Sequence, residues 1–188
     1  MNSQLPEVDL SKYRNPEDLN KGAGFFKRAV WFLVNSCFLQ NSANPSSKSK
    51  VILLRLFGAK IGRNVIIKPG LNVKSPWFFM VGDNCMLGER VWIDSLALVS
   101  IGKNVCISQD VYMCCGNHDW SDRAFGKTVK PIVVEDGVWI ATRATITGGV
   151  TLGTHSVVTA CSLVVHNTEP YSINSGNPSK RIKQRIIM

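Results

Sequence analysis

The chain is short of the features by which a metal centre, a membrane span or a nucleic-acid surface usually shows in a sequence. It has three histidines in 188 residues (His118, His155 and His166) and no two lie close together. Its six cysteines form no CxxC pair and no disulfide-framework spacing, which reads as small, buried, reduced thiols in a cytosolic protein. The one marked apolar run, FFKRAVWFLVNSCFL at 25–39, is interrupted by Lys27 and Arg28 and falls short of the roughly 20 residues a bilayer needs. Glu7, Asp9, Glu17 and Asp18 precede it, so it is also a poor signal peptide. Aromatic residues make up only 9% and are not interleaved with a basic stripe, so no nucleic-acid partner is expected.

Acidic residues are missing from one region in particular. The net charge of +9 is not spread along the chain: residues 61–169 are neutral overall, residues 1–60 carry +5, and residues 170–188 carry Lys180, Arg181, Lys183 and Arg185 with no acid. The basicity belongs to the two ends.

What is present is a repeat. Aliphatic residues recur every sixth position at Ile61, Ile67 and Val73, then Val81, Leu87 and Ile93, then Ile101, Ile107 and Met113. The series resumes at Val134, Ile140, Ile146, Leu152, Val158 and Val164. The position after each is often small or polar (Gly62, Gly82, Gly88, Asp94, Gly102, Ala141, Gly153), and compact residues recur four positions on. A period of six fits neither a helix nor an alternating strand. It fits a coil in which each hexapeptide gives one short strand and one corner, and three hexapeptides close one turn of a parallel β-helix. The expected fold is all-β: a coil of about five turns over 61–169, a helical, apolar appendage at 1–60 and a basic tail at 170–188. Cys85 and Cys106 are expected at inward positions.

With the segments GNHDWSD, VWIATRATITGGVTLG, VVTACSLV and SGNPSKRIK, the chain resembles the hexapeptide-repeat acyltransferases over residues 61–183. The sugar O-acetyltransferases of the colanic acid, nodulation-factor and galactoside type are the nearest in pattern. The resemblance implies a left-handed coil, acetyl-CoA as donor, a sugar or glycan precursor as acceptor, no metal, and a homotrimer with active sites between subunits. A non-catalytic coil subunit is the competing reading. A hydratase of the γ-carbonic anhydrase type, which shares the coil, would need a HxxxxH pair that the histidine spacing does not supply.

The period breaks after the third coil. Residues 119–133, DWSDRAFGKTVKPIV, form a loop with His118 at its root. A loop on a rigid scaffold is where catalytic residues tend to sit, and a sugar hydroxyl needs a base that is neutral near pH 7. The resemblance puts His118 at the family's catalytic position, with direct attack on the thioester, and Asp119 is a candidate to orient it. Cys114 and Cys115 read as wall residues. The resemblance also makes Asp94 an acceptor-binding candidate. It places Thr142 and Ala160 on the pantetheine arm, Val165 and His166 beside it in place of the relatives' hydroxyl and lysine, and Lys180 and Lys183 on the CoA phosphates. The run at 25–39 either covers the open end of the coil or lies on the inner membrane surface of a cytoplasmic protein.

Overall fold

A computed structural model describes residues 7–13, 15 and 20–188. From Lys60 onward the chain is the expected left-handed parallel β-helix. Its first face stacks the strands Lys60–Ile61, Phe79–Val81, Val99–Ile101, Ile132–Val134 and Thr151–Leu152. The second stacks Ile66–Ile67, Met86–Leu87, Cys106–Ile107, Trp139–Ile140, Val157–Val158 and Ser172–Gly176. The third stacks Asn72–Val73, Trp92–Asp94, Tyr112–Cys114, Thr145–Thr147 and Leu163–Val164. A sixth turn is begun by Thr168, which bridges to Leu152, and by Ser172–Gly176, so the coil runs one turn beyond the expected length. The tail is not loose: Ser179–Gln184 folds back antiparallel on Ser172–Gly176, covering the last strand of the second face.

Every aliphatic slot of the repeat is buried, none more than 8% exposed, and together they form one continuous core. Where glycine follows a slot, it is needed because the next coil lies directly beneath it. A Cβ on Gly82 would stand 2.6 Å from the Gly102 carbonyl oxygen, well inside contact distance. The thiols divide differently from expectation. Cys85 and Cys115 are buried, Cys106 and Cys114 are half-buried, and Cys37 and Cys161 are exposed. Cys106 sits five residues after Ile101, on the outward side of its strand, and the inward place is taken by Val105.

Two of the three corners turn through left-handed backbone. Between the first and second faces these positions are Asn64, Asn84, Asn104, Gly137 and His155, and between the second and third they are Gly70, Arg90, Asp110, Arg143 and Cys161. Asparagine tolerates that conformation better than most side-chain-bearing residues because its short amide can bond locally. The third corner follows no such rule, with Gly149 left-handed in its shortest turn, and it takes up every insertion, including the hairpin described below.

The N-terminal region supplies two helices, α1 (Phe25–Val34) and α2 (Ser47–Leu56), joined through a wider turn at Asn35–Leu39. The Ser46 hydroxyl caps α2 by accepting from the Ser49 N–H. Leu54 of α2, with Trp31 and Leu39, seals the open end of the coil, and the Trp31 indole donates to the Val73 carbonyl at 2.8 Å. Lys50 is buried among them, its ammonium donating to the Asn44 carbonyl at 2.7 Å, and burial pushes its pKa down. The run at 25–39 thus does cover the coil's end, but with few of its side chains. Phe25, Phe26 and Leu33 stay 79%, 80% and 61% exposed.

The corner geometry sets an expectation for stability. Asn104, at φ 57° and with no side-chain hydrogen bond among the described residues, should accept Gly at little cost. Asn104→Val should lower stability by about 1–2 kcal/mol, read from urea denaturation midpoints, because a β-branched residue resists the left-handed region.

Candidate active site

The break in the repeat is a β-hairpin. Gly116–His118 pairs antiparallel with Lys127–Val129, with His118 opposite Lys127 at the outer end. Pairing therefore starts at Gly116, three residues before the expected loop. The hairpin leaves the coil between the third and first faces, and its root is closed by the Lys130 N–H donating to the Cys115 carbonyl at 3.0 Å. Its tip is stitched by acidic caps: the Asp122 carboxylate accepts from the N–H groups of Ala124 (3.0 Å) and Gly126 (2.9 Å).

His118 is held on one nitrogen. Nδ1 lies 3.0 Å from the Phe125 carbonyl oxygen, and the imidazole stacks on the Phe125 ring with centroids 4.4 Å apart and planes at 10°. A carbonyl can only accept, so Nδ1 carries the proton and Nε2 presents a lone pair. Phe125 itself has φ 51°, unusual for a bulky residue, and that conformation belongs to the turn that brings carbonyl and ring to the same imidazole. Asp119 does not orient His118. Its carboxylate accepts from the Ser121 N–H at 2.9 Å and hydroxyl at 2.5 Å, and these bonds hold its pKa below the usual carboxylate range.

Two cavities lie along the third face, one on each side of the hairpin's root. The lower, of about 410 Å³, is lined by Cys114, Asn117, Lys130, Thr147 and Val165 among others. The Cys114 thiol there points at the Gly116 carbonyl, 3.0 Å away, and also meets the Tyr112 hydroxyl at 3.2 Å. Cys115 behind it is buried, and burial pushes its thiol up to about 11, so it holds no thiolate near neutral pH. The upper cavity, of about 600 Å³, lies between α1 and the coil and reaches Lys74, Trp92 and Leu96.

Asp94 lies between the cavities and opens to neither. It is buried, with Oδ1 2.9 Å from the Lys74 ammonium, an ion pair without good hydrogen-bond alignment, and Oδ2 4.0 Å from the Cys114 sulfur. Of this pair, Lys74 and not Asp94 faces the upper cavity.

An unforeseen contact comes from the N-terminal segment. The Asp9 N–H donates to the Arg123 carbonyl at 2.8 Å, and Tyr13 packs its ring 5.8 Å from His118. The Tyr13 hydroxyl donates to the Asn15 side chain, which lines the upper cavity. Residues 7–13 therefore strap the hairpin beside the histidine, and Asn15 reaches that cavity. Sequence gave no sign of a contact spanning so many residues.

The six residues expected around the donor divide between two edges of the prism. Thr142 and Ala160 stack on the corner between the second and third faces, where the Cys161 N–H donates to the Thr142 carbonyl at 2.9 Å. Lys180 pairs with Ser175, whose hydroxyl accepts from Thr159 at 2.7 Å, so it reaches this same edge; Lys183 follows on the same strand, opposite Ile173. Val165 and His166 follow the third face onto the other edge, where Val165 lines the lower cavity. The three histidines are far apart in this arrangement, and no cluster of metal-ligating side chains occurs among the described residues.

No protein-family model matches the chain. The Escherichia coli protein named colanic acid biosynthesis acetyltransferase WcaF is 34% identical over 178 residues, covering 95% of this chain and 97% of that protein. A hexapeptide-repeat acetyltransferase from Vibrio cholerae, solved with acetyl coenzyme A, shares the fold at a TM-score of 0.78, with 23% identity over 91% of this chain and 98% of that one. A galactoside acetyltransferase solved with coenzyme A gives a TM-score of 0.69 at 25% identity, covering 89% and 84% of the two chains. Since the match takes in the N-terminal helices and the hairpin as well as the coil, from one end of the relative to the other, the chain belongs to the hexapeptide-repeat acetyltransferases.

Proposed function

We propose that this enzyme moves an acetyl group from acetyl-CoA to a hydroxyl of a sugar or glycan precursor, with His118 as general base. The observation that carries the reading is the Phe125 carbonyl 3.0 Å from His118 Nδ1: in the neutral ring it leaves Nε2 free to take a proton. As the acceptor oxygen bonds to the thioester carbon, its proton passes to Nε2. The tetrahedral intermediate then collapses, the C–S bond breaks, and the imidazolium returns the proton to the CoA thiolate. The oxyanion calls for a donor such as a backbone N–H near the coil. No acyl-enzyme is required, in keeping with a buried, protonated Cys115 and a Cys114 thiol directed at a carbonyl.

The division of the donor residues between two edges supports a homotrimer. One chain contributes the edge with Thr142, Ala160 and Lys180, with Lys183 farther along the same closing strand, and its neighbour contributes the edge with Val165, His166 and the hairpin. The pantetheine arm then runs in the groove between coils, the two lysines meet the CoA phosphates, and His118 takes the acceptor's proton from the neighbour's side. Asp94 acts on the acceptor through the Lys74 ammonium it holds.

The enzyme is proposed to work in the cytoplasm, at the inner membrane surface. Among the described residues no helix is long and apolar enough to cross a membrane. The exposed rings of Phe25 and Phe26 and the side chain of Leu33 form an apolar face on α1 suited to shallow insertion. Three basic residues of the region are engaged elsewhere: Lys27 lies over the Trp77 ring at 5.3 Å, Arg28 lines the upper cavity, and Lys50 is buried. Membrane contact therefore rests on the rings more than on charge.

Three outcomes are expected. His118→Ala should lower kcat by about 10²–10⁴-fold while leaving CoA affinity nearly unchanged, and near-wild-type turnover in that variant would remove His118 from the mechanism. Neutralising Lys180 and Lys183 together should raise the KM for acetyl-CoA much more than for its 3′-dephospho analogue; equal effects would make the lysines plain surface. The protein should float weakly with liposomes and lose that binding in Phe25→Ser/Phe26→Ser, with little dependence on salt. Protein that stays in solution with both neutral and anionic vesicles leaves α1 as a cap alone.

A further inference from the structure

We propose that the upper cavity, between α1 and the third face, selects an acceptor sugar carrying an acidic group, a carboxylate or a phosphate, and that Arg28 is the residue that binds it. The inference deepens the acetyl-transfer reading and rests on it for the reaction, though not for the binding.

The charge of the cavity is one-sided. Lys21, Arg28 and Lys74 line it, and no acidic residue does so among the described ones. Arg28 is the informative member. Its Nε is buried with no hydrogen-bond partner, and the side chain makes no ion pair among the described residues. Buried guanidinium donors are almost always satisfied, since an unpaired one keeps neither its water nor an acceptor. The Nε and Nη donors of arginine form a planar fork that matches two oxygens of a carboxylate or phosphate. An incoming oxyanion supplies Arg28 with both an acceptor and a countercharge; a neutral sugar's hydroxyl supplies an acceptor alone.

The neighbours suit a charged sugar. Lys74 is the second cation, and the buried Asp94 at 2.9 Å fixes its position. Trp92, 44% exposed and tilted against Tyr112 with centroids 4.6 Å apart, offers an apolar face for a sugar ring. The volume of about 600 Å³ holds a hexose with a substituent.

The cavity also communicates with His118 along two routes. Asn15, in its wall, accepts from the Tyr13 hydroxyl, and the Tyr13 ring lies 5.8 Å from the imidazole. Leu96, at its other side, packs so closely on Gly116 that a Cβ there would stand 2.8 Å from the leucine Cδ1, and Gly116 begins the strand that carries His118.

The test is equilibrium binding to the full-length protein, by tryptophan fluorescence and calorimetry, of three probes: glucuronate, glucose 1-phosphate and glucose. At least one acid should bind ten or more times tighter than glucose, with a gap that narrows as salt is raised. Arg28→Gln should abolish the gap and Arg28→Lys should keep part of it, with thermal unfolding to check that each variant is folded. The tighter of the two acids identifies carboxylate or phosphate as the group recognised. Equal binding of all three probes, binding of neither acid, or a gap that survives in folded Arg28→Gln overturns the proposal. Acetyl transfer to the same sugars separates the two readings. Equal kcat/KM for glucose and the acids overturns acid selection and leaves acetyl transfer standing. Acid binding without transfer to any acceptor counts against the transfer reading alone.

Discussion

The structure depends on one constraint, that each coil must lie one strand spacing from the next so that main-chain groups can pair along its whole length. The Gly62 N–H donates to the Val81 carbonyl at 2.8 Å and the Gly82 N–H to the Ile101 carbonyl at 2.8 Å, and the same bond recurs down the faces. At roughly 4.8 Å between strands there is no room at the tightest corners for a side chain, which is why glycine follows so many aliphatic slots. The inward aliphatics contribute apolar burial, but it is the rung spacing that decides where a bulky residue or an insertion is tolerated. Insertions are confined to one corner, and the hairpin, both cavities and the wall residues at Lys74 and Leu96 all lie at or beside it.

The coil was legible because its period is short, repeated and unlike that of helix or strand. His118 was legible because it stands where that period fails. The left-handed corners were also written in the sequence, as asparagine two residues after glycine in GRN, GDN and GKN, but hydrophobic periodicity does not reveal a backbone conformation. Cys106 was misread by one register position, and in a strand one position exchanges inside for outside.

The parts of the site that escaped the sequence share a cause: each depends on a contact between distant segments or on the rotation of a helix. The Phe125 carbonyl, not Asp119, holds His118, and only the fold of the hairpin tip decides between them. The strap at residues 7–13 joins the hairpin across more than a hundred positions. Lys27 and Arg28 look in sequence like the polar side of a surface helix. With Trp31 anchored on Val73, the turn of α1 directs both inward, one over Trp77 and the other into the cavity. The two basic ends of a neutral coil are thereby folded back against it.

The last turn has a further consequence. A parallel coil that stops leaves a row of unpaired N–H and C=O groups, a template on which a second molecule could continue the sheet. At the first end α2 and the residues around Trp31 cover that edge. At the other end, Ser179–Gln184 turns antiparallel and occupies the hydrogen-bonding row of the second face, bringing Lys180, Arg181 and Lys183 to the rim. Like charges meeting edge to edge repel. The strand that closes the fold thus also puts charged side chains at that end of the coil.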